Sequence, residues 1–528
     1  MTPDPVPVHS RTRHGGALLV AVGIFVSRIF GFVRVRVFSH YFGLASDEAD
    51  AFNTGFRIPN LLQNLFGEGA LSASFIPVYA RLVAAGDEDE ADRLAGAVGG
   101  LLAFTVSVIV LVGVLATAWL IDVIAPGFEG EKRLLAIRLV RILFPGAGLL
   151  VISAWCLGIL NSHQKFFLSY AAPVAWNLAM IAALVIVGGH TDLGSLAVVL
   201  AWASVAGSAL QIAVQLPTVS RVLSQFRPSL DIRSSHVREV VRNFWPVLFS
   251  RGVVQISAYI DQLIGSLLPT GAITGLTNVQ LLYTLPVSLF GISVSAAELP
   301  AMSRATGDEA AVAAHLRARL GAGLQQVAFF VVPSAVAFAA LGDLVAGTIL
   351  QTGRFRHEDA IYVWGILAAS ALGLLASTFG RLYSSTYWAL RDTRTPLRYA
   401  IVRVTLTGTM GYLAAMYLPT LLGVEARWGA AGLTATSALS GWVELFLLRR
   451  TLSRRIGAAE LPGWFLAKLW TSAAAAAGVA WVIKLALPSE GSPVLRGVFT
   501  LGPYSVVYLG LTLLVGLPQA RGLLRRVR

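Results

Sequence analysis

Apolar runs of about the length that crosses a bilayer recur from Ala17 to Gly516, separated by short polar stretches. A helix rises 1.5 Å per residue, so about 20 residues span the ~30 Å hydrocarbon layer. The pattern predicts fourteen spans: 17–38, 49–83, 94–124, 134–160, 166–188, 194–219, 237–268, 271–300, 316–350, 360–390, 397–418, 428–448, 464–487 and 495–516. The second should be bent, because Pro59 removes a backbone donor and Gly67 and Gly69 bracket Glu68. Broken backbone inside a membrane is tolerated only against protein or a water-filled cavity. The predicted fold class is an all-α polytopic membrane protein.

An even number of spans returns both termini to one side. The stretches SRVLSQFRPSLDIRSSHVREVVR, RDTRTPLR, RRTLSRRIG and RGLLRRVR are basic and share the side of the basic leader, which makes that side cytoplasmic. Alternate loops such as SHYFGLASDEAD and GGHTDLG are lean in Lys and Arg, although QTGRFRHEDA carries Arg354 and Arg356 against the trend. A weak repeat is also present. SRIFGFVRVRVF and LFGEGALSASFIP return as SRGVVQISAYID and LFGISVSAAELP, with Ser27 and Ser250 223 residues apart and Leu65 and Leu289 224 apart. Duplication of a six-span unit predicts two six-helix lobes in pseudo-twofold arrangement plus two C-terminal helices, a plan common among transporters. The layout is then a leader 1–16, an N-lobe 17–220, a C-lobe 237–450, two extra spans in 464–516 and a basic cytoplasmic tail 517–528.

Composition sharpens this picture. Hydrophobic residues make up 56% of the 528 and charged residues 13%, against roughly 25% charged in soluble domains, so no stretch is left for a soluble catalytic domain. The 41 Lys and Arg against 28 Asp and Glu would suggest nucleic acid in a soluble chain; here they report orientation, and no nucleic-acid partner is expected. The single cysteine, Cys156, excludes an internal disulfide or thiolate metal cluster and should serve packing. The first apolar run holds arginines and lacks a small-residue cleavage site after it, so it is expected to remain as a span.

Charges inside spans cost about 2.5–3.5 kcal/mol each at mid-bilayer by insertion scales, so each needs an explanation. The candidates are Arg28, Arg34, Arg57, Glu68, Arg138, Arg141, Arg251, Asp261, Glu298, Arg381, Arg403 and Glu444. Arg36, Arg138, Arg403 and Glu444 lie near span ends and should snorkel to the headgroups. Arg28 sits near mid-span and should face a cavity. Ser27, Gly31 and Arg34 share a helix face, whereas Arg28 points about 120° from Arg34, so the two arginines would line two walls. Asp50 could pair an arginine or stand as a solvated carboxylate at a helix start.

No HExxH, Walker loop, GxSxG or GxGxxG motif is present, and the histidines are scattered, His163 and His357 in expected loops where solvation explains them. The chain is not expected to be an enzyme. A channel would need rings of like residues in an oligomer. Unlike charges scattered through a duplicated chain fit a transporter or flippase better, with arginines receiving an anionic headgroup.

The segments SRIFGFVR, ADAFNTGFRIPNLLQNLFGEGALSASFIPVYA, GILNSHQKFFLSYAAPVAWNLAMI and YWALRDTRTPLR resemble the MurJ family of lipid II flippases, in the multidrug/oligosaccharidyl-lipid/polysaccharide exporter superfamily. The resemblance runs along spans one to twelve and is densest before Ile181. It implies two six-span lobes around a central cavity. It also implies that the undecaprenyl-diphosphate-linked peptidoglycan precursor crosses the bacterial inner (plasma) membrane by alternating access. No cofactor or ATP is implied; Na+, H+ or the membrane potential would reset the cycle, and cell-wall synthesis machinery is a candidate partner.

By the same resemblance, Arg28 and Arg34 match essential first-span arginines, Asp50 an acidic residue starting the second span, and Arg57 the basic residue before Pro59–Asn60. Arg28, Arg34, Arg57 and Arg251 would bind the diphosphate or headgroup carboxylates, while Ser27, Gly31, Asp50, Pro59, Asn60 and Glu68 would serve gating or support. The chain departs from the family at Gln63, where an arginine is usual, and at Gln280–Leu281, where Asp or Asn followed by Arg is usual; Arg251 could compensate. Asp261 is a candidate ion ligand, but the eleventh span offers Thr405 and Thr407 rather than Asn and Asp. The alternatives are an exporter of another polyprenyl-diphosphate glycan or small solute, or, from another class, an intramembrane glycosyltransferase or cell-wall scaffold.

Overall fold

The computed structural model describes residues 11–223, 225–304, 307–488 and 491–527, with side chains from residue 22 onward except at 68, 249–254, 256–258 and 524–527. In order the helices are α1 (Arg11–Phe42), α2 (Asp47–Phe66), α3 (Glu68–Ser74), α4 (Ile76–Ala85), α5 (Glu88–Leu115), α6 (Thr117–Ile124), α7 (Gly130–Ser162), α8 (Phe166–Val187), α9 (Leu193–Val222) and α10 (Ser235–Ser266). There follow α11 (Ala272–Pro286), a π-helical turn (Val287–Ile292), α12 (Ser293–Ser303), α13 (Glu309–Leu350), α14 (His357–Ala371), α15 (Leu374–Ala389), α16 (Arg394–Leu422), α17 (Gly429–Ile456), α18 (Gly463–Ala486), α19 (Pro493–Leu514) and α20 (Pro518–Val527). Each expected span has a helical counterpart. Among the described residues ten segments are long and apolar enough to cross a membrane, and α14 with α15, bent by 43°, makes an eleventh. The other three expected spans are α1, the α2–α4 segment and α10.

The bend in the second span falls at Gly67, one of the two glycines expected to bend it, and not at Pro59. α2 runs unbroken through Pro59 and stops at Gly67, where an added Cβ would strike the Gln63 carbonyl oxygen; a second break follows at Phe75. The repeat carries its irregularity to the same place. LFG at 65–67 ends α2, and LFG at 289–291 lies in the π-helical turn.

The chain packs as two units. The first comprises the described residues to Phe42 with Ser46–Tyr259, and the second Gly43–Ala45 with the residues from Ile260 onward. In the first, α7 is the most enclosed span, and small residues let backbones close up: Gly55 against Leu139, Gly146 against Val205 and Gly207 against Trp176. Cys156 is fully buried in this core, as its apolar setting predicted. His163 is not simply a solvated loop residue, because its Nε2 lies 3.0 Å from the Tyr79 hydroxyl.

In the second unit α13 is the enclosed span. Tyr504 and Tyr508 of α19 donate to the Pro333 and Phe329 carbonyls of α13 at 2.7 and 2.6 Å, which staples the appended helices to the body. Large apolar side chains point outward in both units. Leu115, Leu421, Leu485 and Leu514 are each at least 74% exposed, which suits lipid rather than water.

Two of the four charges expected to snorkel do something else. Arg403 Nε lies 3.3 Å from Glu444 Oε2, an ion pair between α16 and α17. Arg138 is exposed on α7.

In the turn before α16, Arg391 adopts the left-handed region at φ 59°, and Asp392 accepts bonds from Thr395 N and Oγ1 at 3.0 and 2.7 Å and from Arg455 Nη1 at 2.7 Å. Desolvation pushes the Asp392 carboxyl up, but these bonds prevail and hold it at about 2 against an ordinary 3.8. Its folded-state value is depressed, so its contribution is complete above 3.8 and is lost as the pH falls toward 2. Thermal midpoints of the wild type and Asp392→Asn should therefore differ by a constant amount above about pH 5 and converge toward pH 2.

Candidate functional site

The site is built from α1 outward. The Arg34 guanidinium sits 4.9 Å over the Trp176 ring of α8 and 5.8 Å from the Phe56 ring of α2, and its Nε donates to Asn177 Oδ1 at 3.1 Å. The Asn177 amide is itself fixed, donating through Nδ2 to the Pro173 carbonyl at 3.0 Å. Trp176 is locked too: its Nε1 donates to the Ser204 carbonyl at 3.1 Å, and Gly207 of α9 leaves room for the indole, where a Cβ would come to 3.0 Å. A guanidinium held by one amide and an aromatic face is oriented without being neutralised. Among the described residues no carboxylate lies within ion-pairing distance of Arg34.

Arg28 is exposed on the same helix, again without an ion pair among the described residues, and Ser27 is half-buried. A Cβ built at Gly31 would meet no atom within 4 Å, so the helix surface at Gly31, one turn from Arg34, opens onto space. A larger side chain there enters that space without disturbing the core. Gly31→Leu should therefore accumulate normally in membranes yet cut transport at least roughly tenfold by crowding the approach to Arg34, measured as flux per protein.

Asp50 is not the solvated carboxylate that a helix start allowed. It is 1% exposed, and a lysine pairs with it: Lys132 Nζ of α7 lies 3.0 Å from Asp50 Oδ2 and 3.0 Å from Asp47 Oδ1, over the Phe128 ring at 4.6 Å. This pair ties α2 to α7 at the start of the second span. The Arg57 carbonyl accepts from the Tyr259 hydroxyl at 3.1 Å. Pro59 is buried in α2, and Asn60 is half-buried one residue on.

The side chains of Glu68 and Arg251 lie outside the described residues. At the departure positions of α11, Gln280 Nε2 donates to Thr284 Oγ1 at 3.1 Å and Leu281 is half-buried. Asp261 is half-buried on α10, and Thr407 of α16 is buried. No group of three or more His, Cys, Asp or Glu side chains suited to a metal occurs among the described residues. Sequence reasoning missed Phe56, Trp176, Asn177 and Lys132. The first three lie inside quoted motifs, where a polar residue beside tryptophan in an apolar run was the available signal.

A sequence profile described as "Lipid II flippase MurJ" matches residues 38–496. The chain is similar to the "Lipid II flippase MurJ" of Burkholderia cenocepacia, with 29% identity over 521 residues covering 96% of this chain and 98% of the other. It is likewise similar to the "Probable lipid II flippase MurJ" of Rhizobium tropici, with 32% identity covering 81% and 79%. A solved structure described as "Lipid II flippase MurJ, inward closed conformation" superposes with a TM-score of 0.74 at 22% identity, covering 94% of this chain and 98% of that one; the likeness there is of fold.

Proposed function

The chain belongs to the MurJ family of lipid II flippases, and from that premise we propose that Arg28 and Arg34 receive the anionic headgroup of lipid II. The protein is a multi-pass membrane transporter that flips the lipid-linked peptidoglycan precursor by alternating access, and it is not an enzyme. The observation that carries the site is Arg34, a preoriented cation inside a span with no carboxylate partner among the described residues. A charge left so at membrane depth is stabilised by water in a cavity or by an anion brought to it. A diphosphate offers several acceptor oxygens to a guanidinium fork.

The basic loops support a reading with both termini in the cytoplasm, with Asp261 the candidate for a coupling ion, Na+ or H+, unless the membrane potential alone resets the cycle. Docking to the cell-wall synthesis machinery belongs to the same reading. Expression in a bacterium depleted of its own flippase tests it: growth and cell shape should be restored. A chain present in the membrane at normal abundance that fails to rescue overturns the reading.

A further inference from the structure

The basic loop that broke the orientation trend leads to a second site, wholly within the second unit. α13 kinks at Leu341, with φ −128° and ψ 17°. Two indoles take carbonyls at the kink: Trp364 of α14 donates to Ala339 and Trp481 of α18 to Ala340, each at 3.0 Å. Lys484 packs over the Trp481 ring at 4.6 Å and pairs with Asp343 Oδ2 at 2.6 Å. Beside this pair lies a cavity of about 190 Å³, lined by Asp343, Thr348, Gln351, His357 and Arg496 among others. One water needs roughly 10–15 Å³ by this measure, so the space takes a group of several heavy atoms.

Two buried polar atoms of these lining residues find no protein partner among the described residues, the acceptor Asp343 Oδ1 and the donor Arg496 Nε, while Arg496 Nη2 donates to the Lys484 carbonyl at 3.5 Å. With Asp343 already offset by Lys484, Arg496 leaves the described lining with a surplus positive charge. A matching ligand therefore offers an anionic oxygen to Arg496 and a hydrogen-bond donor to Asp343. Tryptophans collect at the membrane–water boundary, and lysine and arginine join them there. In the orientation proposed above this boundary is the outer one, at the end of α13.

We propose that this cavity binds the phosphate of a bilayer lipid whose headgroup also carries a donor, an ammonium or a hydroxyl, as in phosphoethanolamine or phosphoglycerol lipids. The chemistry of a phosphate with a donor is shared by free inorganic phosphate. The position among interfacial tryptophans favours the lipid.

The test is native mass spectrometry of the purified full chain with phosphatidylethanolamine, phosphatidylglycerol, phosphatidylcholine or inorganic phosphate added separately, alongside thermal midpoints. The first two lipids should be retained at least roughly tenfold better than phosphatidylcholine, whose quaternary ammonium has no donor, and should raise the midpoint. Arg496→Gln should lower their retention to the phosphatidylcholine level. Equal retention of all three lipids by the wild type overturns the proposal without recourse to any variant, and so does full retention by a folded Arg496→Gln chain. Inorganic phosphate raising the midpoint as far as the lipids overturns the lipid assignment. None of these readouts measures flipping, so this site and the headgroup site fail independently.

Discussion

Arg34→Ala should reach the membrane at normal abundance and fail to sustain a flippase-depleted bacterium. Charge-assisted hydrogen bonds are worth about 1.5–3 kcal/mol each, so losing the guanidinium should weaken headgroup capture by roughly ten- to a hundredfold. Stability should change little, because the side chain makes one amide bond, a weak contact from Nη1 to Met180 Sδ at 4.0 Å and ring contacts rather than an ion pair. Arg34→Lys should rescue poorly as well. An ammonium cannot keep both the Nε bond to Asn177 and the planar stack on Trp176, so the positive charge would be present but misdirected. Rescue assays with membrane abundance measured in parallel check both, and full rescue by Arg34→Ala would remove this residue from the site.

Lys132→Ala should act in the opposite way, through folding. Removing one member of a buried ion pair leaves the other charge stranded and typically costs about 3–5 kcal/mol. Lys132 and Asp50 side chains are 13% and 2% exposed, which places the pair in that regime, whereas Asp47 at 55% is solvated and loses little. A fall in thermal midpoint and in membrane abundance should follow. The double change Asp50→Leu with Lys132→Met should regain most of the lost stability, since a volume-matched apolar pair avoids the stranded charge. A double-mutant cycle on thermal midpoints reads the coupling directly. Near-additive effects would show that the pair does not hold α2 to α7.

What the sequence disclosed follows from which signals are local. A span declares itself over about 20 consecutive residues, so every expected span has its helix. Breaks are harder to place because they depend on what surrounds the backbone. Of the two signals in the second span, Pro59 is accommodated inside α2, while the glycines do mark the interruption, which falls at Gly67, where a Cβ has no room beside the Gln63 carbonyl. Partners across helices were out of reach of periodicity. Nothing along the chain links Lys132 to Asp50, Asn177 to Arg34 or Glu444 to Arg403, because each contact joins faces of different helices. The arginines themselves were legible, since a permanent charge within a span is costly wherever its partners lie.

Translocation by the purified chain tests the central claim most directly. With lipid II confined to one leaflet of sealed vesicles containing the protein, the fraction that becomes accessible on the other leaflet is followed over time. The wild-type chain should move lipid II well above protein-free vesicles, and Arg34→Ala should fall to the protein-free rate. Wild-type vesicles indistinguishable from protein-free ones, with the chain folded and inserted, would contradict the account.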